Sequence, residues 1–291
     1  MDIRQVIEKE GVIITDGSMG AYLQELGYLG ITPECASIDM PDLVASVHKE
    51  YIESGASVIL TNTFGANKKR LARKNLANKI EDINIKSGEI AKRVSSQYKG
   101  ILVAGDIGPS GEFLEPYGNL TMKEAEDIFV YQAKFLQETG VDLILLETFQ
   151  DLKEIEVAYN SIKAKYDCFI IPSLTLSSGG ENRTLMGQKI EDLLEWAEKI
   201  GVLGINCGLT SREMESVVSK IRKISEIPLW VKPNAGIPQV SDGNITYPES
   251  IEEFTENCVE MVNKGIKFIG GCCGTTPKYI KNLKKVIYET D

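Results

Sequence analysis

The chain has 291 residues, 43% hydrophobic and 25% charged, the balance of a globular protein with ample material for a core and not of a disordered or fibrous one. Its 32 Lys and Arg stand against 42 Asp and Glu, a net charge of −10, which is the wrong sign for a nucleic-acid binder. No apolar run approaches the roughly 20 residues that span a bilayer, and the N-terminal MDIRQVIEKEG carries charges where a signal peptide needs an apolar stretch, so no membrane partner and a cytoplasmic location are expected.

Short apolar, β-branched runs alternate along the chain with longer segments of helical periodicity. VIITD (12–16) precedes a Gly- and Pro-rich loop, 17–41, and the helical PDLVASVHKEYIESG. SVILTN (57–62) precedes the charged segment KKRLARKNLANKIEDINIKSGEIAKRVSSQY. ILVAGD (101–106) is followed by a second irregular loop, 107–121, and by KEAEDIFVYQAKFLQETG. DLILLET (142–148) leads to LKEIEVAYNSIKAKY, FIIPSLTL (169–176) to IEDLLEWAEKIG, and LGINC (203–207) to REMESVVSKIRKIS. PLWVKPN (228–234) is followed by a third loop, 235–249, and IEEFTENCVEMVNKG, and KFIGGCC (267–273) by PKYIKNLKKVIYE.

The eight strand candidates are near-continuous apolar runs and not strict alternations, which is the pattern of strands covered on both faces, hence of a parallel sheet with helical crossovers. Gly55, Gly100, Gly140, Gly201 and Gly265 close helical segments just before the next strand. Eight such units predict an α/β fold, a single (β/α)8 barrel over 1–291 in preference to an open doubly wound sheet. No strand ends in a GxGxxG turn, and the unusual residues sit at the ends of nearly all eight strands, which a barrel gathers around one mouth. The three loops are expected to cover that mouth. Low-complexity tracts and interdomain linkers are absent, so one domain is expected.

Six cysteines without a secretion signal do not make a disulfide framework. Three of them stand at strand ends: Cys207 in GINCG after strand six, and Cys272 with Cys273 in GGCCG after strand eight. In a barrel, strands of the same parity point side chains into the same layer, so the three sulfurs can converge at the C-terminal face. Three thiolates hold zinc in a tetrahedron whose fourth corner stays open, a catalytic arrangement and not a closed structural one. A vicinal redox disulfide between Cys272 and Cys273 is the alternative. A three-thiolate zinc suits a fourth thiolate: a free thiol of pKa near 8.5 is only about 3% ionised at pH 7, and coordination removes its proton. The pattern points to alkyl transfer onto a substrate thiol.

Asp16 and Glu147 each end a strongly apolar strand, where a charge is costly unless it is paired or faces a polar mouth. A cationic amino group of a ligand would pair them; the alternative is that Asp16 caps the following turn and Glu147 bridges to a lysine on the rim. Asn62, Thr63, Asn206 and Asn234 also face the expected mouth, Asn234 being the first choice for a substrate contact. His48 lies in a helical segment remote from every strand end and is expected to pack, as are Cys35, Cys168 and Cys258. The basic run KKRLARK at 68–74 reads as a solvated helix face, with a docking patch for an acidic partner as the alternative.

DGSMG (16–20), TNTFGAN (61–67), GDIGPSGEFLEPYG (105–118), GVDLILLET (140–148), RTLMGQ (183–188), GINCG (204–208), KPNAGIPQ (232–239) and GGCCGTTP (270–277) together resemble the homocysteine S-methyltransferase family over essentially the whole chain. The likeness is closer to the homocysteine-binding module of cobalamin-dependent methionine synthase than to the betaine-using branch. It implies a barrel that uses Zn2+ to activate homocysteine as a thiolate and methylates it to methionine, with Cys207, Cys272 and Cys273 as catalytic metal ligands. It also implies that the amino-acid end of homocysteine is held by Glu147, by Asp16, and by the backbone of Gly17, Ser18, Met19 and Gly20. No stretch after the eighth helix is left to bind a corrinoid, so the methyl donor is expected to be methylcobalamin on a separate corrinoid protein or domain. A small sulfonium donor such as S-methylmethionine, or a zinc-holding docking module without turnover, are the competing readings.

Overall fold

The structure, a computed structural model, describes residues 11–179, 181–241 and 244–289; the charged N-terminal segment 1–10, the ends of the expected domain and the tip of the third loop at 242–243 lie outside the described residues. All eight expected strands form, at Ile13–Ile14 (β1), Val58–Leu60 (β2), Leu102–Ile107 (β3), Leu143–Phe149 (β4), Ile170–Leu174 (β5), Leu203–Thr210 (β6), Leu229–Asn234 (β7) and, after a hairpin, Phe268–Ile269 (β10). They make one sheet in the order β1-β10-β7-β6-β5-β4-β3-β2, parallel throughout. The two ends of that order meet: Thr15 bridges Val58, Ser57 N–H donates to Ile14 O at 2.8 Å, and Asp16 N–H donates to Val58 O at 3.0 Å. The seam is short, so the result is a nearly closed eight-stranded barrel.

Each expected helical segment is a helix, and in several the start is written in the capping residues. Thr121 with Glu124 and Thr210 with Glu213 form reciprocal capping boxes at Met122–Glu138 and Ser211–Arg222, and the side chains of Asp151 and Ser250 cap Leu152–Lys165 and Ile251–Asn263. The long basic segment breaks into Lys68–Ala72, a 3-10 turn at Ala77–Lys79 and Ile80–Ser95, with Asn75 at φ +59 in the break. Two expected loops carry structure of their own. Residues 17–41 contain the short helices Met19–Glu25, Pro33–Cys35 and Ala36–Asp39, and 235–249 contain an antiparallel hairpin, β8 (Gln239–Ser241) with β9 (Asn244–Thr246). Seven residues make less than two helical turns, too few for a 3.6-residue period to show in the sequence.

Two apolar cores result. The larger lies between sheet and helices. The smaller fills the barrel and is made of Val58, Leu60, Leu102, Ala104, Leu143, Leu145, Ile171, Val202, Trp230 and Phe268. Wherever two of these share a strand they are two residues apart, as the alternation of a strand requires. Trp230 and Phe268 pack ring on ring at 5.0 Å. This plug closes the barrel from below and fixes which side chains point inward above it.

Candidate functional site

Continuing the inward register past the plug gives the site. Two residues beyond Leu60, Ala104, Leu145, Ile171 and Trp230 stand Asn62, Asp106, Glu147, Ser173 and Lys232; four beyond Val202 and Phe268 stand Asn206 and Cys272. The intervening positions on β6 and β10 are glycines because neighbours occupy the space: a Cβ on Gly204 would strike Ser173, and one on Gly270 would strike the Thr15 hydroxyl.

The sulfurs of Cys207, Cys272 and Cys273 lie within 4.8 Å of one another, with Cys207 and Cys273 3.8 Å apart. The convergence is as expected, but the parity argument needs correction. On β6 it is Asn206 that takes the inward position level with Cys272, and Cys207 is one residue out of register. Cys207 reaches the cluster through a left-handed backbone at φ +59, where the β6–β7 pairing shifts between Asn206 and Thr210. That conformation costs a non-glycine residue on the order of 1 kcal/mol.

Asn206 holds this geometry together. Its Oδ1 accepts from Thr148 N–H at 3.0 Å and from the Ser173 hydroxyl at 2.6 Å, while its Nδ2 donates to Thr148 Oγ1 at 2.6 Å and approaches Cys272 Sγ at 3.8 Å. Thr148 is itself left-handed, at φ +61, within the irregular end of β4 that follows Glu147. One amide thus ties the Glu147 turn to the cysteine cluster. Asn234, expected to touch substrate, instead accepts Cys273 N–H on its Oδ1 at 3.2 Å and supports that cysteine from behind. The Tyr247 ring occupies the space a Cβ on Gly274 would need, and burial with the nearby Cys273 charge raises its hydroxyl above the ordinary tyrosine value.

Hydrogen bonds from Cys207 and Cys272 pull the Cys273 thiol down to about 3, and the same contacts, with burial, push Cys272 well above the ordinary thiol value. The cluster by itself therefore favours a single thiolate. Three thiolates in this half-buried place need a cation, and an all-sulfur donor set of three fits zinc with one position left for a further ligand.

From the cysteines a cavity of about 410 Å³ runs to the turn after β1, lined there by Gly17, Ser18, Met19 and Gly20 and on its walls by Asn62, Thr63, Asp106, Glu147 and Lys232. Asp16 stands behind this surface, fully buried, with both oxygens engaged: Oδ2 accepts Leu60 N–H at 2.7 Å and Oδ1 accepts the Lys232 ammonium at 2.9 Å. Lys232 also lies 3.8 Å from Glu147, so the lysine that meets Glu147 is buried in the barrel and not on its rim. Burial opposes the Lys232 charge, but Asp16 and then Glu147 overcome it and hold the ammonium above the ordinary lysine value. Burial raises the Glu147 carboxyl, and burial with the nearby Glu147 charge raises Asp106 well above its usual range.

Sequence reasoning passed over Lys232, Asp106 and Tyr247. For the first two a signal existed, since each is a lone charge in or ending an apolar strand (LWVKPN and ILVAGD); for Tyr247 there was none. Asn62 and Thr63 line the cavity yet serve the backbone: Asn62 donates to Pro33 O at 2.7 Å, and the Thr63 hydroxyl donates to Asp106 O at 2.6 Å. His48 is buried, and so are Cys35, Cys168 and Cys258, all four away from the cavity wall. In the basic run Lys68, Arg73 and Lys74 are exposed, as a solvated helix face requires. Lys69 and Arg73 also pair with Glu112, and Arg70 lies over the Phe64 ring, which ties the run to the loop after β3.

Residues 13–287 match the family described as homocysteine S-methyltransferase. Among curated relatives, the methionine synthase of Mycobacterium leprae is 30% identical over 296 residues, covering 95% of this chain and 24% of that protein. That of Mycobacterium tuberculosis is 29% identical over 306 residues, covering 98% and 25%. The chain thus spans about a quarter of the length of these relatives. In fold it is similar to the homocysteine methyltransferase MmuM from Escherichia coli in its metallated form, with a TM-score of 0.82 at 24% identity over 98% of this chain and 99% of that one. No helix among the described residues is long and apolar enough to cross a membrane.

Proposed function

The chain belongs to the homocysteine S-methyltransferase family, and from that premise we propose that it is a zinc-dependent enzyme, folded as one domain, that methylates the sulfur of homocysteine to give methionine. The observation that carries the proposal is the pairing of two unlike ends in one cavity: three sulfurs within 4.8 Å at one end, and buried carboxylates with an exposed backbone turn at the other. Homocysteine is a thiol at one end and a zwitterion at the other, and the cavity matches it in both respects.

Cys207, Cys272 and Cys273 would hold the zinc, which when bound supplies the ionisation of a substrate thiol at neutral pH. Asn234 fixes the backbone of Cys273, and Asn206 fixes Cys272 relative to Glu147, so the distance between the two ends is set by the protein. Glu147 faces the amino group, and the backbone of Gly17, Ser18, Met19 and Gly20 faces the carboxylate. Asp16 acts behind them by fixing Lys232. Orientation is then the main contribution of the polypeptide, since a positioned nucleophile needs no further base once its proton is gone.

For the methyl donor we propose a methylcorrinoid carried on a separate protein or domain. Two observations support a donor delivered by a macromolecule. The relatives named methionine synthase are about four times as long as this chain. Leu29, Phe113, Tyr117, Leu185, Ile237 and Val240 stand exposed on four of the loops that follow barrel strands, apolar surface that a docking partner could cover.

The test is a donor panel on zinc-loaded protein: methylcobalamin, S-methylmethionine, S-adenosylmethionine, betaine and methyltetrahydrofolate, each with homocysteine and assayed for methionine. Methionine from methylcobalamin and one zinc per chain are expected. Direct use of S-methylmethionine would replace the donor assignment, and zinc without methionine from any donor would leave a docking module. Cys272→Ser is expected to lose its metal and about 10³-fold or more in turnover, because the metal supplies several kcal/mol of stabilisation. A Cys272→Ser protein with full zinc and full activity would end the proposal, and a reduced wild-type protein without stoichiometric zinc would favour dithiol chemistry.

A further inference from the structure

Asp16 fixes Lys232, and what the lysine has left over shows what it is fixed for. Among the described residues Lys232 is the one basic side chain on the cavity wall, 2% exposed and two positions above Trp230 of the plug. Its ammonium carries three donors. One goes to Asp16 Oδ1 at 2.9 Å, and Glu147 at 3.8 Å is near enough for attraction but too far for a hydrogen bond. The other two meet no acceptor among the described residues. A buried cation with unmet donors on a cavity wall is a place for an oxygen of a ligand. Two features define that ligand group. Asp16 immediately precedes the Gly17–Gly20 turn, so the bond that holds Lys232 also sets its ammonium at the end of the cavity where that turn lies. The charges already there are one positive, Lys232, against two negative, Asp16 and Glu147. A doubly charged anion is repelled by that set, whereas a single carboxylate on a molecule that brings its own cation fits it.

We infer that Lys232 receives the α-carboxylate of the amino-acid substrate, beside the backbone of the turn after β1, and that it is the residue by which the cavity tells a free carboxylate from a neutral group of the same shape. The two contacts differ in what they can distinguish. Backbone N–H groups donate to any oxygen, that of an amide included, whereas an ammonium gains most from a full negative charge. Amidated or peptide-bonded thiols are thus turned away while the free amino acid binds. Lys232 is a specificity-determining contact, and Asp16 is the residue that positions it. This assignment rests on the homocysteine reading above.

Calorimetric titration of zinc-loaded protein with L-homocysteine and with L-homocysteine amide, alike in shape but without the negative charge, reads the discrimination. Wild type is expected to prefer homocysteine by roughly 10- to 100-fold, the worth of a charge-assisted hydrogen bond. Lys232→Gln combined with Asp16→Asn removes the buried pair as a unit and is expected to bring the two affinities together at unchanged zinc content. Lys232→Arg keeps the charge and should keep part of the preference. Should the double variant not fold, the nitrogen resonance of the Lys232 ammonium in wild type decides the matter. It is expected to shift with homocysteine and to stay in place with the amide, and a resonance that responds alike to both, or to neither, overturns the role of Lys232. An unchanged preference in the double variant overturns that role too, as does a wild type that binds the two thiols equally, and each of these leaves the homocysteine reading standing. A zinc-loaded wild type that binds neither thiol overturns the homocysteine reading and this assignment with it.

Discussion

The lower and upper halves of the barrel interior are built on the same strands in the same register, yet they follow opposite chemistry. Below, Leu143, Leu145, Trp230 and Phe268 need only fill space, and contact between rings and aliphatic chains suffices. Two residues higher, Asp106, Glu147 and Lys232 are buried just as deeply, and each polar group requires a partner from a different strand. Lys232 finds Asp16 across 216 positions of sequence, and Cys207 finds Cys273 across 66. The plug is thus tolerant and local in its demands. The layer above it is exacting, and among the described residues it leaves Asp106 Oδ1 without a donor.

This contrast breaks most visibly at Lys232. Lys232→Met would extend the plug upward by one layer and leave Asp16 and Glu147 without their counter-charge, a loss of about 3–5 kcal/mol for removing one partner of a buried ion pair. Urea unfolding measures it, and adding Asp16→Asn should return part of the loss. A cost below about 1 kcal/mol would show that the upper layer does not depend on charge pairing.

His48 sharpens the comparison from outside the barrel, as a buried titratable group to which nothing is paired. Both ring nitrogens lack partners among the described residues, and burial lowers its pKa from 6.5 to about 4. The unfolded chain therefore takes up the proton first as pH falls. The stability linked to His48 is fully present above about pH 6.5 and declines as pH drops to the folded value, by about 3 kcal/mol at pH 4. His48→Leu lacks this titration, so the stability difference between variant and wild type should shift by that amount between pH 7 and pH 4. Parallel pH dependences would contradict it.

The smallest expected effect is at Asn206, where the exacting layer meets the cysteines. Asn206→Ala leaves the Thr148 N–H and the Ser173 hydroxyl unpaired, costing about 1–2 kcal/mol. It should also lower zinc affinity by roughly 10-fold, as loss of a group supporting metal ligands does. Competition with a chromophoric chelator reads the second effect, and unchanged zinc affinity would limit Asn206 to a role in the β4 turn.

The alternation of eight apolar runs with eight amphipathic ones was readable because each barrel strand is buried on both faces and each helix on one, and burial writes itself into residue type. GINCG and GGCCG were readable for a similar reason: thiols bracketed by glycines at strand ends have few ordinary uses. The short helices in 17–41 and the β8–β9 hairpin were not, because elements this small carry no full period of the pattern that reveals longer ones.

Residue type and spacing alone therefore settle the element order, the parallel sheet and the identity of the three cysteines. Folding in three dimensions decides the rest. It turns Cys207 inward by a left-handed residue that no spacing predicts, withdraws Asp16 behind the wall to meet Lys232, and sets Asp106 on the cavity wall. The reason is that a buried charge is defined by what lies within a few ångströms of it, and here those neighbours come from strands remote in sequence, β1, β4 and β7.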